Sequence, residues 1–248
     1  MSKTENKRIY AIGDIHGCLD DLVEMQTRIA DDLVARPHAD AVTIYVGDFV
    51  DRGPDSKGVV TNLMTEQQSD RNTVFLKGNH DTFIFDFLDD PFGLSTPVLH
   101  WLDSALGGAE TLRSYGLDPD ADDIHAQVKR YFPTDHLDFL RDLDLWHGIG
   151  DYLFVHAGIR PGVPLEKQEK QDLIWIREPF LSATDDHGFT VVHGHSPVRQ
   201  VENHGNRIDI DTGAVFGRHL SCLVLEDDTQ QLLTESGLVP CPIVQKMK

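Results

Sequence analysis

Short apolar runs, each followed by a turn that carries Asp, Asn or His, constrain this fold more than any other feature of the sequence. The runs are Arg8–Ile12, Ala41–Val46, Thr73–Leu76, Tyr152–Val155, Phe189–Val192 and Arg207–Ile210. Apolar runs of this length that end in turn residues are typical of buried strands. Helical spacing is clearest from Leu19 to Leu33 and from Ile124 to Leu145. The pattern predicts a mixed α/β fold.

The stretch Val46–Pro54 lies at the centre of this series. It places Asp48, Asp51 and Arg52 on one loop at the end of a predicted strand. In an open α/β sheet, ligands bind at this end of the strands. One such Gly-Asp loop would more often serve only to end a strand. Because similar turns recur along the chain, we interpret the loop as part of a functional site.

Residues 83–150 interrupt the alternation of strands and turns. Leu99 to Leu106 has helical spacing, Gly107-Gly108 ends it, and apolar positions between Leu137 and Leu145 suggest another helix. We therefore expect a helical insertion within a single domain spanning residues 1–248. Two roles stay open for it: it covers the site and shapes the choice of substrate, or it is a structural cap on the sheet.

Composition narrows the possible partners. Asp and Glu outnumber Lys and Arg by 41 to 22, and the net charge is −19. A surface that binds nucleic-acid polymers or anionic membranes needs the opposite sign, so we expect neither partner. The first residues lack the apolar core of a signal peptide, and no apolar run is long enough to span a membrane, so a cytoplasmic location is expected. The three cysteines form no Cys-x-x-Cys pair and are interpreted as reduced thiols.

Metal-ligand chemistry is concentrated in the turns that follow the strands. The candidate ligands are Asp14, His16, Asp48, Asn79, His156 and His195. Oxygen and imidazole donors without a thiolate suit Mn, Fe or Zn ions in five- or six-coordinate geometry. Six donors exceed what one ion with an open position needs, but they suit two ions that share a carboxylate. We predict that Asp48 is that shared ligand, because its loop is central in the series.

Any one of these histidines alone would more often be a core or surface residue than a ligand. Their joint placement, each directly after a strand-like run, favours the metal site. His193 is assigned to packing or to support of the ligands rather than to metal binding.

The turns resemble those of a known family. Gly13-Asp14-Ile15-His16-Gly17, Gly47-Asp48-Phe49-Val50-Asp51-Arg52-Gly53 and Gly78-Asn79-His80-Asp81 look like the three signature motifs of the phosphoprotein phosphatase branch of the calcineurin-like metallophosphoesterases. The resemblance continues through His156-Ala157, Ile174–Glu178, Gly194–Pro197 and Asp211–Phe216, and it is closest to bacterial and phage members such as lambda protein phosphatase. It implies a β-sandwich of two mixed sheets flanked by helices.

The resemblance also implies a role for each site residue. Asp14, His16 and Asp48 would hold one metal ion, and Asp48, Asn79, His156 and His195 would hold the second. His80 would be the general acid, oriented by Asp51, and Arg52 and Arg177 would bind the phosphate oxygens. A hydroxide that bridges two divalent ions, with Mn²⁺ expected and Fe or Zn as alternatives, would attack phosphorus directly without a phosphoenzyme. For Arg177 a second interpretation stays open, a surface ion pair with Glu178 or a nearby acid.

The leading hypothesis from the sequence is a phosphomonoester hydrolase that acts on phosphoserine and phosphothreonine in proteins or peptides, and also on phosphotyrosine or small aryl phosphates. The alternative is symmetrical hydrolysis of the dinucleotide diadenosine tetraphosphate. Asp51 argues against the alternative, because hydrolases of that kind resembling this chain often lack an acid before the Arg. A non-catalytic phosphate-binding module is disfavoured because the set of ligands is complete. Asp81 is a departure, since eukaryotic protein phosphatases of the family usually carry Glu there, and Ser196 stands where Thr is frequent.

Overall fold

A computed structural model describes residues 2–69, 72–89 and 100–244 of the chain. The described strands are β1 (Arg8–Ile12), β2 (Ala41–Tyr45), β3 (Thr73–Phe75), β4 (Trp146–Ile149), β5 (Tyr152–Val155), β6 (Thr190–His193), β7 (Glu202–Asn203), β8 (Arg207–Asp209), β9 (Cys222–Glu226), β10 (Thr229–Thr234) and β11 (Gly237–Pro240). The described α-helices are α1 (Leu19–Ala35), α2 (Ser56–Gln68), α3 (Phe83–Asp89), α4 (Gly108–Ser114), α5 (Ile124–Tyr131), α6 (Thr134–Arg141) and α7 (Lys170–Trp175).

The strands form two mixed sheets. The first has the order β11-β10-β9-β1-β2-β3, in which β1, β2 and β3 are parallel and the remaining pairs are antiparallel. The second has the order β4-β5-β6-β8-β7, with β5, β6 and β8 parallel. The expectation of two mixed sheets flanked by helices is confirmed. None of the helices in the described part of the chain is long and apolar enough to cross a membrane.

The apolar core has three parts, and β1 shows how the sequence divides it. Side chains alternate between the two faces of a strand. Ile9 and Ala11 accordingly lie in the cluster between the two sheets, whereas Tyr10 and Ile12 pack on the side of α1 and α2. A third cluster joins the outer face of the second sheet to α7. Because both faces of β1 are covered, it is apolar at nearly every position.

Most of the predicted strands are present with ends shifted by a few residues. Ser221 to Leu225 and Leu232 to Glu235 are also strand-like in the sequence and correspond to β9 and β10, whereas the prediction missed β4, β7 and β11. β7 has only two residues, Glu202 and Asn203, and β4 carries an exposed Trp146 and a Gly148, so neither has the apolar pattern of a buried strand.

The insertion departs from the predicted helices in three respects. Residues 100–107 form successive turns instead of a helix, and Leu99 lies outside the described residues. The helix expected from Ile124 to Leu145 is two helices, α5 and α6, because Pro133 has no N–H to continue the first one. The region is also not wholly helical, since β4 pairs with β5 at the edge of the second sheet.

Candidate active site

Loops from both sheets meet at one edge of the sandwich. Backbone hydrogen bonds tie the loop after β1 to the loop after β2, for example from the amide of His16 to the carbonyl of Asp48 at 2.8 Å. The amide of His195, in the loop after β6, donates to Asp14 Oδ2 at 3.1 Å. His156, in the loop after β5, donates from Nδ1 to the carbonyl of Val46 at 3.0 Å. The predicted ligands are therefore brought together by the strand ends.

Asp48 belongs to two groups of potential ligand atoms. In one, donor atoms of His16, Asp48 and His80 all lie within 4.8 Å of one another, and in the other those of Asp48, His156 and His195 do. All five side chains are buried. One carboxylate thus faces two separate sets of imidazoles, which is the arrangement that a shared ligand requires. Asp14 lies outside both groups but contacts His195 through the hydrogen bond described above.

The imidazole rings of His16 and His156 are oriented so that their Nε2 atoms face the carboxylate of Asp48. His16 donates from Nδ1 to the carbonyl of Val50 at 2.9 Å, and its Nε2 lies 3.4 Å from Asp48 Oδ2. His156 Nε2 lies 3.4 Å from Asp48 Oδ1 and 3.1 Å from Asn79 Oδ1. Burial lowers the pKa of His16 to about 3 and also lowers the pKa of His156, so both rings stay neutral. Neutral Nε2 atoms and carboxylate oxygens are all acceptors, and a cation between them would satisfy both.

Four buried side-chain atoms have no hydrogen-bond partner among the described residues, and two of them, Asp14 Oδ1 and His195 Nε2, belong to predicted ligands. Such orphaned acceptors are rare in native proteins and call for a ligand. Burial, followed by the charges of Asp211 and Asp48, raises the pKa of Asp14. Burial would also raise the pKa of Asp48, but the neighbouring histidines, led by His156, outweigh it and lower that pKa. The donor set and its unsatisfied atoms fit divalent metal ions.

The backbone of the site is strained. Eight non-glycine residues have positive φ in the described part of the chain, and five of them belong to the predicted site. Those five are His16 at 47°, Asp48 at 53°, Asp51 at 73°, Arg52 at 66° and His195 at 66°. Strain of this kind clusters at functional sites. Glycine is required beside the carboxylates, because a Cβ on Gly78 would collide with Asp48 and one on Gly194 would collide with Asp14.

His80 and Asp51 form a buried pair, with His80 Nδ1 donating to Asp51 Oδ2 at 2.9 Å. Two side chains from the insertion complete the surroundings of Asp51. Thr111 Oγ1 donates to Asp51 Oδ1 at 2.7 Å, and Trp101 Nε1 donates to the same oxygen at 3.0 Å. Sequence reasoning missed Trp101 and Thr111, because they lie 50 and 60 residues away along the chain and in no motif. The insertion therefore holds part of the site in place.

The two arginines lie on different sides of the ligand cluster. Arg52 Nη1 is 2.7 Å from His16 Nε2, and its guanidinium lies 5.9 Å from the centre of the Phe216 ring. Phe216 is 57% exposed, and its motif carried no assigned role in the sequence analysis. Arg177 is exposed and donates from Nη2 to the carbonyl of His195 at 3.4 Å, while Glu178 accepts from Ser182. Arg177 is thus close to a predicted ligand.

Asp81 has a clear structural place. Its carboxylate accepts from the backbone amides of Asp48 and Gly78 at Oδ2 and of Phe49 at Oδ1, each at 2.9 Å. It therefore joins the loop after β2 to the loop after β3. Burial, then the charge of Asp48, raises its pKa to about 7. Asp81 is one methylene shorter than the Glu of eukaryotic protein phosphatases, and it still reaches all three amides because the two loops lie directly against its carboxylate.

His193 contacts a different set of residues from the ligands. Its Nε2 lies 3.2 Å from Arg207 Nη1 and 4.0 Å from Asp209 Oδ2, and it is in neither group of potential ligand atoms. This geometry agrees with a packing or supporting role behind the loop of His195.

The sequence belongs to the calcineurin-like phosphoesterase family, whose family model matches residues 7–232. Solved structures share the fold. A protein provisionally identified as a diadenosine tetraphosphatase superposes with a TM-score of 0.64 at 21% identity, covering 98% of this chain and 96% of that chain. A cold-active protein-tyrosine phosphatase from a Shewanella species gives a TM-score of 0.60 at 16% identity, covering 92% and 79%.

Relatives in sequence carry the names of dinucleotide hydrolases. The chain is 26% identical over 232 residues to the asymmetrical bis(5'-nucleosyl)-tetraphosphatase PrpE of Halalkalibacterium halodurans, covering 86% of this chain and 87% of the relative. It is 29% identical over 222 residues to a symmetrical bis(5'-nucleosyl)-tetraphosphatase of Nitrosospira multiformis, covering 82% and 66%.

Proposed function

We propose that this protein is a metal-dependent hydrolase of dinucleoside tetraphosphates. The observation that carries the proposal is the position of Asp48 between two sets of buried imidazoles, which suits a pair of divalent ions. The names of the relatives supply the substrate class. Dinucleotide hydrolysis, the alternative hypothesis from the sequence, therefore becomes the main one. The closer resemblance to lambda protein phosphatase stays a prediction.

Asp14, His16 and Asp48 would hold one ion, and Asp48, Asn79, His156 and His195 the other. Two such ions supply Lewis acidity toward phosphate oxygens and lower the pKa of bound water. The identity of the metal depends on availability as well as on the ligands, and Mn²⁺ stays the expectation.

The chain's own groups bind the phosphates and move a proton. Arg52 and Arg177 are permanently charged forks that match phosphate oxygens and would position the scissile group. His80 would donate a proton from Nε2 to the leaving oxygen, because its Nδ1 is engaged by Asp51. Trp101 and Thr111 fix Asp51 and so fix the orientation of that imidazole.

A second candidate substrate class is favoured by the His80–Asp51 pair itself. An alkoxide from phosphoserine or phosphothreonine leaves poorly and needs a proton, whereas a nucleotide leaves as a far weaker base. In the sequence, Asp51 argues against the dinucleotide on a different ground, namely that hydrolases of that kind resembling this chain often lack an acid before the Arg. An oriented general acid does not exclude the dinucleotide. It allows the hydrolysis of esters with poor leaving groups and does not prevent the hydrolysis of those with good leaving groups. Phosphopeptide hydrolysis therefore belongs in the same test.

The test compares the metal-loaded protein on diadenosine tetraphosphate and on a phosphothreonine peptide at matched concentrations, with products separated by chromatography. We expect faster hydrolysis of the dinucleotide. Two molecules of ADP would define symmetrical cleavage, and ATP with AMP would define asymmetrical cleavage. Peptide dephosphorylation with an intact dinucleotide would overturn the proposal.

A further inference from the structure

A cavity of about 690 Å³ lies beside the ligand cluster and outside the machinery described so far. It is lined by the start of β9, the end of β10, the loop 199–201 and the loop 217–220. This volume is in the range that holds a nucleotide-sized ligand. Resting on the proposed function, we propose that this cavity is the subsite for the second nucleoside of the dinucleotide.

The register of the first sheet places the cavity on the same edge as the ligands. Ile12, two residues before Asp14, pairs with Cys222 of β9, and Leu223 pairs with Leu232 of β10. Cys222 and Leu232 line the cavity. Since neighbouring strands are about 4.8 Å apart, the cavity is displaced from the Asp14 strand by roughly 10 Å. A chain of four phosphates separates its two nucleosides, so a substrate with one phosphate at the ligands can reach sideways over such a distance.

One loop joins the two places. Thr212, which lines the cavity, directly follows the buried Asp211. Further along the same loop, Phe216 packs under the guanidinium of Arg52, and the next residues, Gly217 and Arg218, line the cavity. A phosphate chain bound at Arg52 would therefore pass along this loop into the cavity.

The charge of the cavity is opposite to that of the chain. Three arginines line it with a single acid, Glu235, in a protein of net charge −19. Arg28 is paired with Glu24 at 2.6 Å and with Glu235 at 3.4 Å. Arg199 and Arg218 form no ion pair with any residue that the structure describes, although Arg218 donates to the carbonyl of Val198 at 3.0 Å. Two uncompensated guanidinium groups would attract polyphosphate.

The rest of the lining suits the nucleoside. Leu220, Cys222 and Leu233 are buried and form an apolar floor, on which a base and a ribose can pack. Hydroxyl and amide groups of Thr234, Ser236 and Gln200 stand around this floor. An apolar surface with a few polar groups is the usual composition of a small-molecule site.

The experiment measures kcat/KM for diadenosine tetraphosphate and for p-nitrophenyl phosphate with metal-loaded wild type, Arg199→Ala and Arg199→Glu. Arg199 is exposed and forms no ion pair within the described part of the chain, so its replacement should leave the melting temperature unchanged. p-Nitrophenyl phosphate has no second nucleoside and is too short to reach the cavity. Arg130 is an exposed arginine on α5, and Arg130→Ala is the matched control.

We expect Arg199→Ala to lower kcat/KM for the dinucleotide about tenfold, mainly through KM, and Arg199→Glu to lower it further. Turnover of the aryl phosphate should change less than twofold. Equal losses on both substrates, or no loss on the dinucleotide, would overturn the subsite while leaving the proposed function in place. A wild type that hydrolyses only the aryl phosphate would overturn the proposed function and the subsite with it.

Discussion

Asp51 is one of two carboxylates at the site, together with Asp81, that are completely enclosed. It has no exposed surface and accepts hydrogen bonds from His80, Trp101 and Thr111. Burial raises its pKa, although the hydrogen bonds act in the opposite direction. The enclosure leaves His80 one orientation, which is what a positioned acid needs.

His80→Asn tests that role. We expect turnover of an alkyl phosphate, such as a phosphothreonine peptide, to fall by about 100-fold or more, because its leaving alkoxide needs a proton. p-Nitrophenyl phosphate should lose much less, since its phenolate leaves unprotonated. Metal content measured by mass spectrometry should stay at the wild-type level, and His187→Asn serves as the control. Equal losses on both substrates would contradict the assignment as an acid.

Sequence reasoning at the scale of residues was strongest where a donor directly follows a strand. Asp14, Asp48 and His156 each stand within two residues of a buried run, so each could be placed at the end of a strand. The contact of His156, on the second sheet, with the loop of Asp48, on the first, depends on how the two sheets pack. Trp101, by contrast, reaches Asp51 through the tertiary packing of the insertion. No local pattern around Trp101 distinguishes a hydrogen-bond donor at the site from an ordinary core aromatic residue.

The helices and strands show the same difference. Continuous apolar runs predicted β1 and β5 closely, because these strands are buried on both faces. β4 and β7 lie at or near the edge of the second sheet, where partial exposure removes the pattern. The leucine spacing on both sides of Pro133 predicted one continuous helix, but the proline divides it into α5 and α6.

The insertion contacts the site through its first turns. Besides Trp101, the carbonyl of Gly107 accepts from the amide of Arg52 at 3.1 Å. Residues 101–111 thus hold the loop of Asp51 and Arg52 in place, while α5 and α6 add Val128 and Leu140 to the helix-side cluster of the core. An influence of the insertion on the choice of substrate stays a prediction.

Trp101→Phe tests the contact between the insertion and Asp51, since it keeps an aromatic side chain and removes the Nε1 donor to Asp51. We expect kcat on the phosphothreonine peptide to fall about tenfold with KM little changed, because one hydrogen bond to a buried carboxylate is lost. Trp146→Phe, on β4, is the matched control and should behave as wild type. An unchanged kcat in Trp101→Phe would show that the hydrogen bond from Trp101 does not position Asp51.

For the whole molecule, the site and the core are separable. Three apolar clusters hold the layers together, and the ligands lie on loops at one edge. The buried carboxylates Asp14, Asp48, Asp81 and Asp211 are close enough to influence one another's pKa values. We expect their mutual repulsion, in the absence of a cation, to destabilise these loops and to leave the sandwich intact.

Removal of metal should therefore lower the melting temperature without unfolding the protein. After treatment with a chelator we expect an unchanged far-ultraviolet circular dichroism spectrum at 25 °C. Restoring Mn²⁺ at a hundredfold excess over its Kd should add about 2.7 kcal/mol of stability, because the ion binds only the folded state. Mg²⁺ and Zn²⁺ are compared in the same series. A melting temperature that is indifferent to all three ions would contradict a metal site of this kind.

The most direct test of the account is the number of tightly bound metal ions per chain in Asp48→Asn, measured by mass spectrometry after reloading with Mn²⁺ and dialysis. The substitution keeps the shape of the side chain and removes the charge that both groups of imidazoles share. We expect two ions per chain in wild type. Asp20→Asn, which replaces an exposed aspartate on α1, is the control and should also bind two. Asp48→Asn should lose most of its bound metal, and its hydrolysis should collapse. Two ions retained in Asp48→Asn would contradict the shared carboxylate, and so would a wild type that binds none.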